Sequence, residues 1–124
     1  MEARARQIRH GGRLAICAGT LAQRYETLGG TVRWHGKPFP SVYHTCFELL
    51  GTSDRKRILA VGDSLRTDIG GANGVGVDSV LIAGGIHAEE FGLSAGAVPD
   101  AVRLAEAVAA SGNTPDYVML RFTW

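Results

Sequence analysis

The stretch VGDSLRTDIGGA, Val61 to Ala72, decides how the chain is read. It begins at the end of an apolar run, RILAV over residues 57–61. Such runs form strands buried on both faces of parallel sheets. This one leads straight into a carboxylate, Asp63, and a second, Asp68, follows five residues later with glycines behind it. In open parallel sheets, chemistry gathers outside the carboxyl ends of the strands. The two acids therefore stand where a site is expected.

Working outward, residues 13–17 read as a short strand. Residues 18–28 read as a helix with Leu21, Ala22, Tyr25 and Leu28 on one face, stopped by Gly29-Gly30. Thr31–Trp34 is β-like, and Gly36, Pro38 and Pro40 then break the chain. A second helix opens at Pro40 or Ser41, with Val42, Cys46, Leu49 and Leu50 as its stripe and Gly51 as its stop. A short helix is predicted from Thr67 or Asp68 to Val75, ended by Gly76. A buried strand over 78–84, a helix over 101–110 and a last strand over 117–122 follow. Alternating strands and helices with short connections predict an α/β fold, a parallel sheet with flanking helices.

Composition narrows the function. The 124 residues are 45% hydrophobic and 20% charged with net charge +1, an ordinary balance that gives no electrostatic case for nucleic acid or a membrane as partner. Cys17 and Cys46 form no CxxC and sit among apolar residues, which reads as buried free thiols in a reducing compartment. Arg4, Arg6, Arg9 and Arg13 before LAICAGTLA imitate a secretory signal, but Glu2 and Gly19-Thr20 interrupt it. The arginines read instead as a solvated face or frayed terminus. No apolar stretch approaches a spanning helix, so the expected location is cytoplasmic.

Two oxygen-bearing side chains around one crevice suit Mg²⁺, which takes one or two carboxylates and leaves its other positions to water and phosphate. The plainer alternative stays open: Asp68 as a helix-start acid, Asp63 and Ser64 as turn residues. GGANGVG lacks the glycine spacing of a dinucleotide site. The other informative motif is Gly36-Lys37-Pro38. An ammonium fixed there could neutralise clustered carboxylates and a phosphate, although a solvated turn lysine is the simpler reading. His35 and His44 flank this motif; His35 could contact a substrate but reads more simply as a surface turn histidine, and Trp34 and Trp124 read as packing residues. Residues 84–91, GGIHAEEF, are expected to start a helix near His87 with Glu89 and Glu90 in its first turn.

Together, GKPFPSVY and ILAVGDSLRTDIGGANGVGVDSVLIAGG resemble the C-terminal half of a haloacid dehalogenase (HAD) superfamily hydrolase, nearest to the class IIA nitrophenylphosphatase-like and sugar phosphatases. The resemblance covers about residues 36–90, and CAGTLAQRYETLGG is similar to the last helix of that class's α/β cap. It implies a HAD-like, Rossmann-type sheet, incomplete here, with residues 1–34 as a cap remnant and 35–124 as the second half of the core. It implies a Mg²⁺-dependent enzyme hydrolysing a small phosphorylated metabolite through an aspartyl-phosphate. Lys37 would steady nucleophile and phosphoryl group, Asp63 would bind the metal, and Asp68 would bind it through water or orient the lysine. Thr67 is given no more than a capping role.

One departure bears on mechanism. The family's nucleophile lies in an Asp-x-Asp, and none of the aspartates 54, 63, 68, 78, 100 and 116 forms one. Little or no turnover is expected from this chain alone, which reads as a truncated piece. The alternative is a non-catalytic module that keeps the fold to bind a partner or a second copy across an exposed sheet edge.

Overall fold

The computed structural model describes residues 7–10, 13–93 and 98–123. The expectations for Glu2, Arg4, Arg6 and Trp124 lie outside these residues. The chain divides into two compact units, Met1–Trp34 and His35–Trp124.

In the first unit β1 (Gln7–His10) pairs antiparallel with β2 (Arg13–Ile16), Gln7 opposite Ile16. A strand over residues 13–17 was expected and its partner was not: Gln7, Arg9 and His10 surround a single apolar residue, Ile8, and mask a strand by composition. Helix α1 (Ala18–Thr27) follows, with Leu21, Tyr25 and Leu28 exposed. Thr31–Trp34 forms no strand. The Trp34 indole instead donates to Glu26 Oε1 at 2.9 Å, which folds the segment back along the helix.

The second unit is a three-stranded parallel sheet, β3 (Leu59–Gly62), β4 (Asp78–Ile82) and β5 (Tyr117–Met119), in the order β3-β4-β5. Val61 stands opposite Val80, and Val80 opposite Tyr117. Asp116 holds β5 in place: its Oδ2 accepts from the Ser79 amide at 2.7 Å and the Ser79 hydroxyl at 3.2 Å, so the fully buried Ser79 is satisfied. A second tie joins Asn73 and Thr114 through two hydrogen bonds of 3.0 Å.

Helix α2 (Pro40–Leu50) has Pro40 in its first turn and Gly51 as a left-handed cap at φ 64°. Its buried side is turned one residue from the expected stripe. Phe47 is buried and Tyr43 packs beside it, while Cys46, Leu49 and Leu50 face solvent. Both stripes have the same i, i+4 period. The aromatic pair prevails because it packs with Ile58, Ala60, Val75 and Val77, and Phe47 also lies under the Arg55 guanidinium. Cys46 is thus exposed and Cys17 half-buried, not the buried thiols expected.

Residues 65–69 form a π-turn that runs into α3 (Gly70–Val75), so Asp68 sits before the α-helix rather than in it. The cap is Ser64, whose Oγ accepts from the Thr67 amide at 3.2 Å; Thr67 is the donor, not the cap. Helix α4 (Ala101–Ser111) is capped by Asp100 Oδ1, which accepts from the amides of Val102 and Arg103 at 3.0 Å. Residues 83–92 form turns, not a helix.

The main core joins Leu65, Ile69, Leu81, Ala83, Phe91 and Ala107. Both core clusters draw on one face of the sheet, through Ala60, Leu81 and the residues flanking β4. On the opposite face Leu59 is 51% exposed, Val61 42%, Tyr117 57% and Met119 44%. The expectation of a strand buried on both faces therefore fails for β3, because the described helices pack on the other side.

Candidate active site

Strand β3 delivers Asp63 to the carboxyl end of the sheet, and the π-turn brings Asp68 back towards it. Asp68 is 7% exposed and fully engaged. Its Oδ2 accepts from the backbone amides of Asp63 at 3.2 Å and Ser64 at 3.0 Å. Its Oδ1 forms an ion pair with Lys37 Nζ, from thirty-one residues away. The lysine follows Gly36, with φ 86°, and the Lys37–Pro38 peptide is cis. The three residues singled out from the sequence thus meet at one strand end: Lys37 and Asp68 directly, Asp63 through its own amide.

Asp63 is held differently. Its Oδ2 accepts from the Ile86 amide at 3.2 Å, and its Oδ1 takes no hydrogen bond from any described residue. Two glycines permit this close approach. A Cβ at Gly62 would fall within 3.0 Å of the Asp68 carboxyl group, and one at Gly85 within 3.0 Å of Asp63 Cβ. Sequence reasoning gave Ser64 no more than a turn role, and gave Gly85 and Ile86 no role at the site. The signal for Ile86 was weak, since its contribution is a backbone amide that any residue but proline supplies.

Among the described residues no group of three or more His, Cys, Asp or Glu could hold a metal. The donors present nevertheless fit Mg²⁺ in one form. Asp63 offers one hard, charged oxygen, the coordination minimum for an ion that keeps several waters and binds phosphate. Both oxygens of Asp68 already carry partners, Oδ2 the two amides and Oδ1 the lysine, so the acid holds the lysine and the turn.

Tyr43 closes the site from α2, its hydroxyl donating to the Asp68 carbonyl at 3.2 Å. Burial, then the charge of Asp68 and of Cys46, pushes the Tyr43 hydroxyl above its ordinary 10.0. The folded state therefore favours the neutral phenol. Stability from this group is fully present below the ordinary value and is lost as pH rises past about 10. Urea unfolding midpoints should fall over that window, and Tyr43→Phe should remove part of the fall. Equal slopes for both proteins would refute it.

A family model described as HAD-hydrolase-like matches residues 34–120, which include Lys37, Asp63 and Asp68. The chain belongs to the HAD-hydrolase-like family. Similar solved structures are a haloacid dehalogenase-like hydrolase from Brucella suis (29% identity, TM-score 0.63, covering 98% of this chain and 42% of that one). Another is the p-nitrophenyl phosphatase from Archaeoglobus fulgidus (21%, TM-score 0.69, 94% and 40%). A third is the 4-nitrophenylphosphatase from Thermotoga maritima (22%, TM-score 0.65, 94% and 39%). The latter two speak for the HAD-like fold alone. No curated protein matches the chain. The chain spans about two fifths of the length of these solved HAD relatives. Among the described residues, no helix is long and apolar enough to cross a membrane.

Proposed function

We propose that these residues form the metal-holding and charge-balancing half of a class IIA HAD phosphatase site for a small phosphate monoester, in a cytoplasmic protein. The observation that carries this reading is the Lys37–Asp68 ion pair set directly behind Asp63 at the end of β3. In this reading Asp63 holds Mg²⁺ through Oδ1, and the ion would supply positive charge for the phosphate oxygens. Lys37, more than half exposed, can swing its ammonium towards a phosphoryl group as a point charge. Asp68 keeps that ammonium near the strand end and fixes the turn carrying Asp63.

The family's covalent route needs an Asp-x-Asp, which these 124 residues do not contain. The chain by itself is therefore read as inactive: positioning and electrostatics without a nucleophile. Residues 1–34 are read as the end of an α/β cap and 35–124 as the second half of the core. The apolar outer face with Leu59, Val61, Tyr117 and Met119 favours a second reading, a non-catalytic module that self-associates there.

Metal binding tests the first reading without requiring turnover. Mn²⁺ should broaden the amide resonances of Gly62–Ser64 and Gly85–Ile86, and Mg²⁺ should reverse the effect. Asp63→Asn, which removes the charge, should weaken binding by at least about tenfold. Unchanged broadening in the variant would remove Asp63 from the site. Nitrophenyl phosphate, named for two of the structural relatives, is the natural probe of activity. No Mg²⁺-dependent release is expected, and turnover abolished by Asp63→Asn would mean that another nucleophile is present.

A further inference from the structure

His87 occupies a place that neither the motif residues nor the core explains. Its Nε2 accepts from the Leu65 amide at 3.4 Å, and its Nδ1 lies 2.6 Å from Glu90 Oε2. A backbone N–H can only donate, so Nε2 carries the lone pair and Nδ1 carries the proton, donated to Glu90. The imidazole also stacks on Phe91, with ring centroids 5.5 Å apart. Phe91 is fully buried in the main core, so the ring is held by a rigid base, an acid and an amide at once.

These contacts close a ring through the site. Asp63 Oδ2 accepts from the Ile86 amide; Ile86 is bonded to His87; His87 Nε2 accepts from the Leu65 amide; and Leu65 returns through Ser64 to Asp63. Both ends of Asp63 are thus tied to one imidazole, its backbone from two residues downstream and its carboxylate from one residue upstream of the histidine. We infer that His87 is a positioning residue for Asp63, clamping the 83–92 turn to the start of the π-turn so that the carboxylate is presented in one orientation to the metal. The inference rests on the reading of Asp63 as the Mg²⁺ ligand. Outer partners that orient a metal-binding group characteristically govern affinity in this way.

The turn has an anchor besides His87: Phe91 is buried, and its carbonyl accepts from the Asp100 amide at 3.0 Å. Loss of the imidazole should therefore loosen the clamp without unfolding the chain. His87→Phe keeps an aromatic ring on Phe91 but removes the acceptor. His87→Gln restores an acceptor near the position of Nε2. Glu90→Ala, at an exposed position, removes the partner that fixes the tautomer.

The test has two arms on the full chain. Without metal, amide hydrogen exchange at Leu65 and Ile86 should speed up in His87→Phe, less in Glu90→Ala, and be largely restored in His87→Gln, with similar thermal midpoints throughout. With Mn²⁺, affinity should fall about three- to tenfold in His87→Phe and recover in His87→Gln. Unchanged exchange at both amides overturns the clamp. Faster exchange with unaltered Mn²⁺ affinity overturns the positioning role. Should His87→Phe fail to fold, Glu90→Ala decides by the same two readouts. The Asp63→Asn titration reports on the metal reading itself, whereas the metal-free exchange reports on the clamp, so the two failures are separable.

Discussion

Asp68→Ala should destabilise the chain by about 2–6 kcal/mol, because it leaves two backbone amides at Asp63 and Ser64 without their acceptor. Each unsatisfied buried donor costs about 1–3 kcal/mol. The lost ion pair adds little, since the Lys37 side chain is 55% exposed and water replaces the carboxylate. Lys37→Met should accordingly cost no more than about 1 kcal/mol. Asp68→Asn separates the two roles: its carbonyl can still accept from both amides, while its NH₂ group faces the ammonium and displaces it. Urea unfolding of the three variants checks the order. A Lys37→Met loss as large as that of Asp68→Ala would mean that the ion pair, not the turn, is the main stabilising contact. Either way the result bears on function, because the same carboxylate holds both the lysine and the turn that carries Asp63.

Gly85→Ala is the second large effect. The added methyl would lie within 3.0 Å of Asp63 Cβ, an atom fixed to the backbone at the end of β3. No side-chain rotation relieves that contact, so the turn must move away. The movement should cost about 1–3 kcal/mol as overpacking and break the Ile86 amide contact to Asp63. Gly84→Ala provides the contrast, since its methyl would meet the Leu120 carbonyl instead. Both variants should lower the urea midpoint, yet only Gly85→Ala should also weaken Mn²⁺ binding. Equal metal affinity in the two would dissociate the turn from the acid.

The alternation of apolar strand and glycine-stopped helix was legible because it is local. The runs at 58–61 and 80–83 are continuous and apolar, and Gly51 and Gly76 adopt the left-handed conformations that end helices. The pairing of Lys37 with the acids was legible for a different reason, namely that two short motifs occurred together in one order. Where residues had several equivalent local solutions, the reading slipped. In α2 two stripes share one period, and only the contacts of Phe47 with Val75 and Val77 choose between them. At 84–91 the acids suggested a helix start, but the turn follows from Phe91 entering the core and His87 engaging Glu90.

The sequence by itself determined the α/β pattern, the strand end at which Asp63 stands, and the absence of an Asp-x-Asp in these residues. These depend on neighbours within a few positions, where period, glycine and chain direction leave little freedom. Only the tertiary structure decided which oxygens of the acids the described residues engage and which sheet face the described helices cover. It alone placed the amide of Ile86 and the imidazole of His87 against the turn after β3, more than twenty residues away in the chain. Contacts across a parallel sheet join positions separated by an entire helix and strand, and no local period records them.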